Sequence, residues 1–298
     1  MSRISTVHLA DSLPVMEIPR RHETWWSITR ALMQSELFKV RKRPLWWVLL
    51  ILDIGSAFAF YGVSTLVALI RDMDSEGAGS FIQPQRMMES SIQLNALVVS
   101  IAVLVFAAST VGNEFGWGTI RPLIARSGNR ASLLTAKLLT VGTVLLALQV
   151  VGLLACILGS FVATLIVHRD LDVGAGDVIT WCLGLLRLLI AALPLTAIGF
   201  LIAMWFRSAS AGIGVGIGFA FIEPAGWAVL RLLTSAFDPV QKFGIDYPSR
   251  RLVHYGDGSA VDVVGFREGL ELSAICLAWA ALAMVVTFVV FRRRDVTG

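Results

Sequence analysis

Hydrophobic positions fall in long unbroken runs, over 45–70, about 92–111, 133–167, about 179–206, 211–230 and about 270–291, with short polar stretches between them. Each run is long enough to cross about 30 Å of hydrocarbon as a helix. Ahead of the first run the pattern changes. Placing residues 23–40 at 100° steps puts Trp25, Trp26, Leu32, Met33, Leu37 and Val40 on one half of a helix, with Ser27, Arg30 and Gln34 opposite. The stripe is imperfect, because Phe38 lies on the polar side and Glu36 and Lys39 fall inside the apolar arc. The predicted architecture is an all-α integral membrane protein. It has a mobile tail over 1–22, an amphipathic interfacial helix over 23–43 and a six-span domain over 44–298.

Charge orients these elements. Lys39, Arg41, Lys42 and Arg43 stand directly before Pro44; Arg121, Arg126, Arg130 and Lys137 lie between the second run and the first turns of the third; and Arg292, Arg293 and Arg294 follow the last. The positive-inside rule puts all three sets, and both termini, on the cytoplasmic side of the plasma membrane. The stretch 71–90 mixes two arginines with Asp72, Asp74, Glu76 and Glu89 and so lacks excess positive charge, and 168–177 is short and acidic; both belong outside, as does the longest polar connection, the outer loop 231–269. That loop carries Phe243, Ile245, Tyr247, Leu252 and Val253, enough apolar character to dip into headgroups or fold over a pore mouth. The turn at Arg207 to Ser210 is short enough to make an antiparallel hairpin of the fourth and fifth runs, and Gly212/Gly216 and Gly214/Gly218 are small pairs that permit close helix contact.

Composition agrees: of 298 residues, 56% are hydrophobic and 15% charged, with a mean hydropathy of +0.75. The net charge of +4 would suggest nucleic acid in a soluble chain. Here the basic residues sit beside apolar runs, and no separate basic domain exists to bind a polynucleotide. Cys156, Cys182 and Cys276 lie inside apolar runs at unrelated spacings, which suits neither a disulfide framework nor a metal site. The first apolar run exceeds the core of a signal peptide, so none is expected.

Several chemistries are missing. A phosphate-binding loop needs Gly-Lys, and none of Lys39, Lys42, Lys137 and Lys242 follows a glycine. His8, His22, His168 and His254 make no helical pair suited to zinc, and no Gly-x-Ser-x-Gly elbow occurs. Gly174-Ala175-Gly176-Asp177 resembles the Gly-x-Gly-Asp signature of intramembrane aspartyl proteases, which require a second aspartate; Asp53 is the one candidate, and it is expected nearer the other face. Asp177 fits better as a helix cap.

One polar island, the loop 112–132, interrupts the apolar pattern with motif-like content. Gly116 and Gly118 let the backbone leave the preceding helix, Thr119 can cap a short helix that tolerates Pro122 in its first turn, Ser127-Gly128 stops it, and Asn129 can cap the next long helix. Elsewhere Asp53, Arg187 and Glu223 are ionisable groups inside apolar runs, where such groups face a bundle interior, a wet cavity or one another. Glu223, beside Pro224, is a candidate for the lining of a substrate route; the competing reading is an ion pair or hydrogen bond that holds spans together, with Arg187 the candidate partner. Asp53 is expected to be structural.

With these residues in place, the chain resembles a type-2 ABC exporter permease. The likeness rests on an amphipathic N-terminal helix ending in Glu36, Lys39 and Arg41 to Arg43, on six spans, and on the loop order Glu114, Gly118-Thr119, a short helix over 120–125, Arg130 and Lys137. At the turn the family's usual proline and serine are replaced by Gly128 and Asn129. The resemblance implies that the short helix is a coupling helix seated on a separate nucleotide-binding subunit. Glu114 and Arg121 would be its ionic contacts, Phe115, Trp117, Ile120 and Leu123 its apolar ones, and Gly118 and Thr119 its joint. It further implies two ATPase subunits that carry the ATP and Mg, a second permease subunit, identical or homologous, and no cofactor or catalytic residue in this chain. An amphipathic or apolar substrate such as a drug, peptide or lipid would be exported. The alternatives from other classes are a membrane scaffold or immunity-type binding protein, and the intramembrane protease.

Overall fold

The apolar runs are helices, and the structure, a computed structural model, describes them across residues 24–70, 87–127, 130–167, 175–234, 237–253 and 265–293. The elements are α1 (Trp25–Lys42), α2 (Pro44–Ile70), α3 (Met87–Gly116), α4 (Ile120–Ser127), α5 (Arg130–Ile166), α6 (Ala175–Phe206), α7 (Ala209–Leu233), α8 (Asp238–Gln241), α9 (Asp246–Val253) and α10 (Phe266–Arg293). No strand occurs among the described residues. Six helices, α2, α3, α5, α6, α7 and α10, are long and apolar enough to cross a membrane, as expected of a multi-pass membrane protein. The expected tail over 1–22, the Gly128-Asn129 turn and most of the connections 71–90 and 168–177 lie outside the described residues.

Packing centres on α3, which lies against α2, α5, α6 and α7. Its middle turns are buried almost all round, with Val99, Val103, Leu104, Phe106, Ala107, Ala108 and Val111 at 2% exposure or less. A helix apolar on every side can occupy such a position because each neighbour covers one sector. The largest cluster joins Val99, Phe106, Val111, Leu134, Leu148, Phe200 and Met204 from α3, α5 and α6.

Outer helices bury one stripe each. In α2 the buried residues are Leu49, Asp53, Ala57, Tyr61, Thr65 and Ala68, spaced three or four apart, and they face α5. The opposite side shows Trp47, Val48, Ile51, Phe58, Val63 and Leu66, as a lipid-facing surface would. Small residues on α5 make room: a Cβ on Gly159 would stand 2.8 Å from the Tyr61 ring.

The hairpin of α6 and α7 forms through Arg207, at φ 54, and Ser208, whose hydroxyl accepts from Ala211 N at 3.3 Å. Of the two predicted glycine pairs, only Gly212/Gly216 is packed. A Cβ on Gly212 would meet Ala203 and Ala108, and one on Gly216 would meet Leu104, whereas Gly214 and Gly218 face open space. The pairs lie half a turn apart, so a helix with one packed side uses one of them.

Most of the described polar connection after α7 folds back. Ile245, Leu252 and Val253 are buried, and the latter two join Leu188, Ala191, Leu272 and Cys276 of α6 and α10. Its apolar residues therefore cover the bundle's own helices, while Phe243 stays exposed.

Candidate functional site

The junction where α3 gives way to α4 is built by ordinary helix-end chemistry. As α3 runs out, Trp117 N donates to Asn113 O at 2.8 Å and Thr119 N to Glu114 O at 3.0 Å. Gly118 takes φ 67, a conformation that favours glycine, and α4 then starts with Leu123 N donating to Thr119 O. The Thr119 hydroxyl donates back to Glu114 O at 3.4 Å, where the last carbonyls of α3 have no helical donors left.

Behind this joint lies a buried ionic cluster assembled from three helices. Lys137 Nζ of α5 sits 2.6 Å from Glu114 Oε1 of α3 and 3.2 Å from Glu36 Oε2 of α1. Lys39 Nζ closes the group, 2.6 Å from Glu36 Oε1 and 3.6 Å from Glu114 Oε1. Two cations thus balance two carboxylates. The side chains of Lys137, Glu36 and Glu114 are 2–4% exposed and that of Lys39 is 36% exposed, so one member reaches water. Burial pushes the Glu36 carboxyl up, but Lys137 and Lys39 overcome this and hold it below the usual carboxylate value of 4.5. The charges that interrupt the apolar arc of α1 are thereby explained: the side of α1 against α5 buries Thr29, Glu36 and Val40.

The loop residues fall into two groups. Phe115 and Ile124 pack against the main core, and Ile120 is 4% exposed. Trp117 faces outward, 65% exposed with the Arg43 guanidinium 5.9 Å from its ring, and Leu123 is half-buried. Glu114 points into the cluster. The side chains of Arg121 and Asp177 lie outside the described residues. Gly112 is pressed against the backbone of Ser208 and Ala209, which brings the α6–α7 turn beside this same end of α3.

Beside the middle turns of α7 a cleft of 470 Å³ opens between α3, α6, α7 and α9, lined by Ser100, Leu195, Phe219, Glu223, Asp246 and Arg250 among others. Glu223 borders it, with its carboxylate already engaged. Oε1 accepts from Trp227 Nε1 at 2.7 Å and from Ile245 N at 3.1 Å, and Oε2 accepts from Asp246 N at 2.9 Å. The expected Arg187 pairing is corrected accordingly: the carboxylate binds free amides at the start of α9, where a helix presents unpaired donors and positive partial charge. Gly244 is needed there, since a Cβ on it would stand 2.7 Å from Glu223 Oε1.

Sequence reasoning passed over a third polar group, Asn95 and Gln149, which are fully or almost fully buried in the same bundle as Asp53. Their signal was available, since an amide in an apolar run raises the question that a charge does. Among the described residues no group of three or more His, Cys, Asp or Glu could hold a metal ion.

No curated protein matches the chain. A family defined as proteins of unknown function, DUF2705, matches residues 56–297, which include Glu114, Lys137 and Glu223 but leave out α1 and Asp53; the chain belongs to that family.

Proposed function

We propose that this chain is the membrane subunit of a type-2 ABC exporter, with ATP and Mg handled by two separate ATPase subunits and the transport route completed by a second permease subunit. The observation that carries the reading is the ionic cluster of Glu36, Lys39, Glu114 and Lys137. It ties α1, α3 and α5 together immediately behind a short helix that joins two spans through a glycine joint. A rigid short helix fixed to two spans passes a push on its outer face to both of them. Trp117 and Leu123 supply that face, whereas Glu114, Phe115 and Ile120 anchor the joint from within. The amphipathic α1 acts as a brace in the cytoplasmic headgroup layer, the side that the basic residues mark as inner.

In this reading ATP-driven approach of the ATPases moves the short helices, and the cleft beside Glu223 belongs to the route of an amphipathic or apolar substrate. Its lining is mainly apolar, with Ser100, Asp246 and Arg250 as polar points. Glu223 holds the start of α9 in place at the cleft wall.

The test is ATP hydrolysis by the complex purified from native membranes. Turnover that requires this chain, rises with a transported compound and loses that response in Trp117→Ala with Leu123→Ala supports the reading. A chain that purifies without an ATP-hydrolysing partner would mark it as a scaffold or binding protein instead.

A further inference from the structure

Between α2, α3 and α5 the structure holds a buried polar cluster, and among the described residues no ion pair reaches it. Asp53, Asn95 and Gln149 are 2%, 3% and 0% exposed. Asp53 and Asn95 converge on Gly152 of α5: a Cβ there would stand 2.8 and 2.9 Å from the two Asp53 carboxylate oxygens, with Asn95 Nδ2 nearer still. Gln149 lies one turn before Gly152, on the same face of α5. Asp53 Oδ2, Asn95 Oδ1 and Gln149 Oε1 have no hydrogen-bond partner, and neither does Gln149 Nε2. Unmatched acceptors outnumber unmatched donors, and buried polar atoms are rarely left without a partner.

Of the charges on neighbouring helices, Arg187 of α6, which packs against α3, has an interaction of its own. Asp53 is the one acidic or basic residue of α2. On α3 the charged residues are Glu89 and Glu114, on α5 they are Arg130 and Lys137, and on α1, which touches both α2 and α5, they are Arg30, Glu36, Lys39, Arg41 and Lys42. Glu36, Lys39, Glu114 and Lys137 are committed to one another, and Lys137 stands about 18 Å along α5 from Gln149 at 1.5 Å per residue. Tyr61 and Cys156 occupy the same α2–α5 seam farther along. A buried carboxylate without a partner is costly in a bilayer, and one positive charge among oxygen ligands removes the cost.

We propose that Asp53, Asn95 and Gln149 form an intramembrane site for one small monovalent cation, a proton or Na⁺. One carboxylate matches one charge, and the two amide oxygens supply neutral ligands or accept the acid proton. Removing Cβ at Gly152 lets the carboxylate and the Asn95 amide reach the α5 backbone.

The test follows the apparent unfolding midpoint of the full chain in lipid nanodiscs. One arm titrates Na⁺ against choline at fixed pH and ionic strength, and the other titrates pH at fixed Na⁺. A bound cation should raise the midpoint by about 5 °C as it reaches a hundred times its Kd, and Asp53→Asn should abolish that response. A response to Na⁺ that protons weaken identifies sodium, and a response to pH alone identifies the proton. A wild-type chain flat in both arms, or Asp53→Asn responding as the wild type does, overturns the proposal. Should Asp53→Asn not fold, radioactive sodium binding and the infrared band of a protonated carboxyl are read on the wild type, and absence of both overturns it equally.

Discussion

Replacing Lys137 by Met tests the ionic cluster most directly, because the unbranched apolar stem is kept, one atom shorter, and the ammonium with its hydrogen bonds to Glu36 and Glu114 is lost. In the native chain Lys137 Nζ lies between Glu114 Oε1 and Glu36 Oε2, both carried by side chains 4% exposed or less. Taking away the cation leaves two buried carboxylates with only Lys39 to serve them. Breaking a buried pair from one side costs about 3–5 kcal/mol. At about 2–4 °C per kcal/mol for a chain of this size, the apparent unfolding midpoint should fall by roughly 10 °C. The assay is thermal unfolding in lipid nanodiscs at a fixed scan rate, extended to a cycle with Glu36→Gln and Glu114→Gln. The triple variant, which leaves Lys39 as the one charge of the group with its side chain 36% exposed, should recover most of the loss, since replacing the buried members of an ionic group is often close to neutral. A Lys137→Met cost under about 1 kcal/mol, the size expected of an exposed pair, or a triple variant no better than the single, would refute the reasoning.

Acid should release α1 before the rest of the bundle unfolds. Glu36 has a folded-state pKa below its unfolded value, so its contribution is present above the usual carboxylate range and is lost as pH falls through the lowered value. Hydrogen exchange along 25–42 should rise there, and Glu36→Gln should remove that step; an acid step unchanged in the variant argues against this origin. Gly112→Ala should destabilise by about 1–3 kcal/mol, because its Cβ would run into the Ser208–Ala209 backbone. Gly214→Ala meets nothing and should gain up to about 1 kcal/mol of helix propensity, so thermal unfolding of the two should move in opposite directions. Glu223→Gln should cost about 1.5–3 kcal/mol by weakening its charged hydrogen bonds to the α9 amides, and proteolysis near residue 245 should speed up. A variant that resists proteolysis as well as the wild type would remove Glu223 from its anchoring role.

The sequence by itself determined the helical class and the number of membrane-length helices, because a lipid solvent forces each long apolar run into a self-bonded helix whatever its neighbours are. The resemblance of its loop put Glu114, Gly118 and Lys137 in one motif, and the apolar runs around Asp53 and Glu223 flagged both as needing company. Which company they keep was decided only in three dimensions. Glu36 reads as a flaw in an amphipathic stripe until α5 brings Lys137 against it, from 101 residues away in the chain. Glu223 has a candidate partner in Arg187 on paper, yet the returning segment brings the amides of residues 245 and 246 to it first. Gly212/Gly216 and Gly214/Gly218 are equivalent as strings, and only the position of Leu104, Ala108 and Ala203 separates the packed pair from the open one. Periodicity records which face of a helix is apolar, whereas partner choice depends on how helices distant in sequence are set beside one another, and no local pattern encodes that placement.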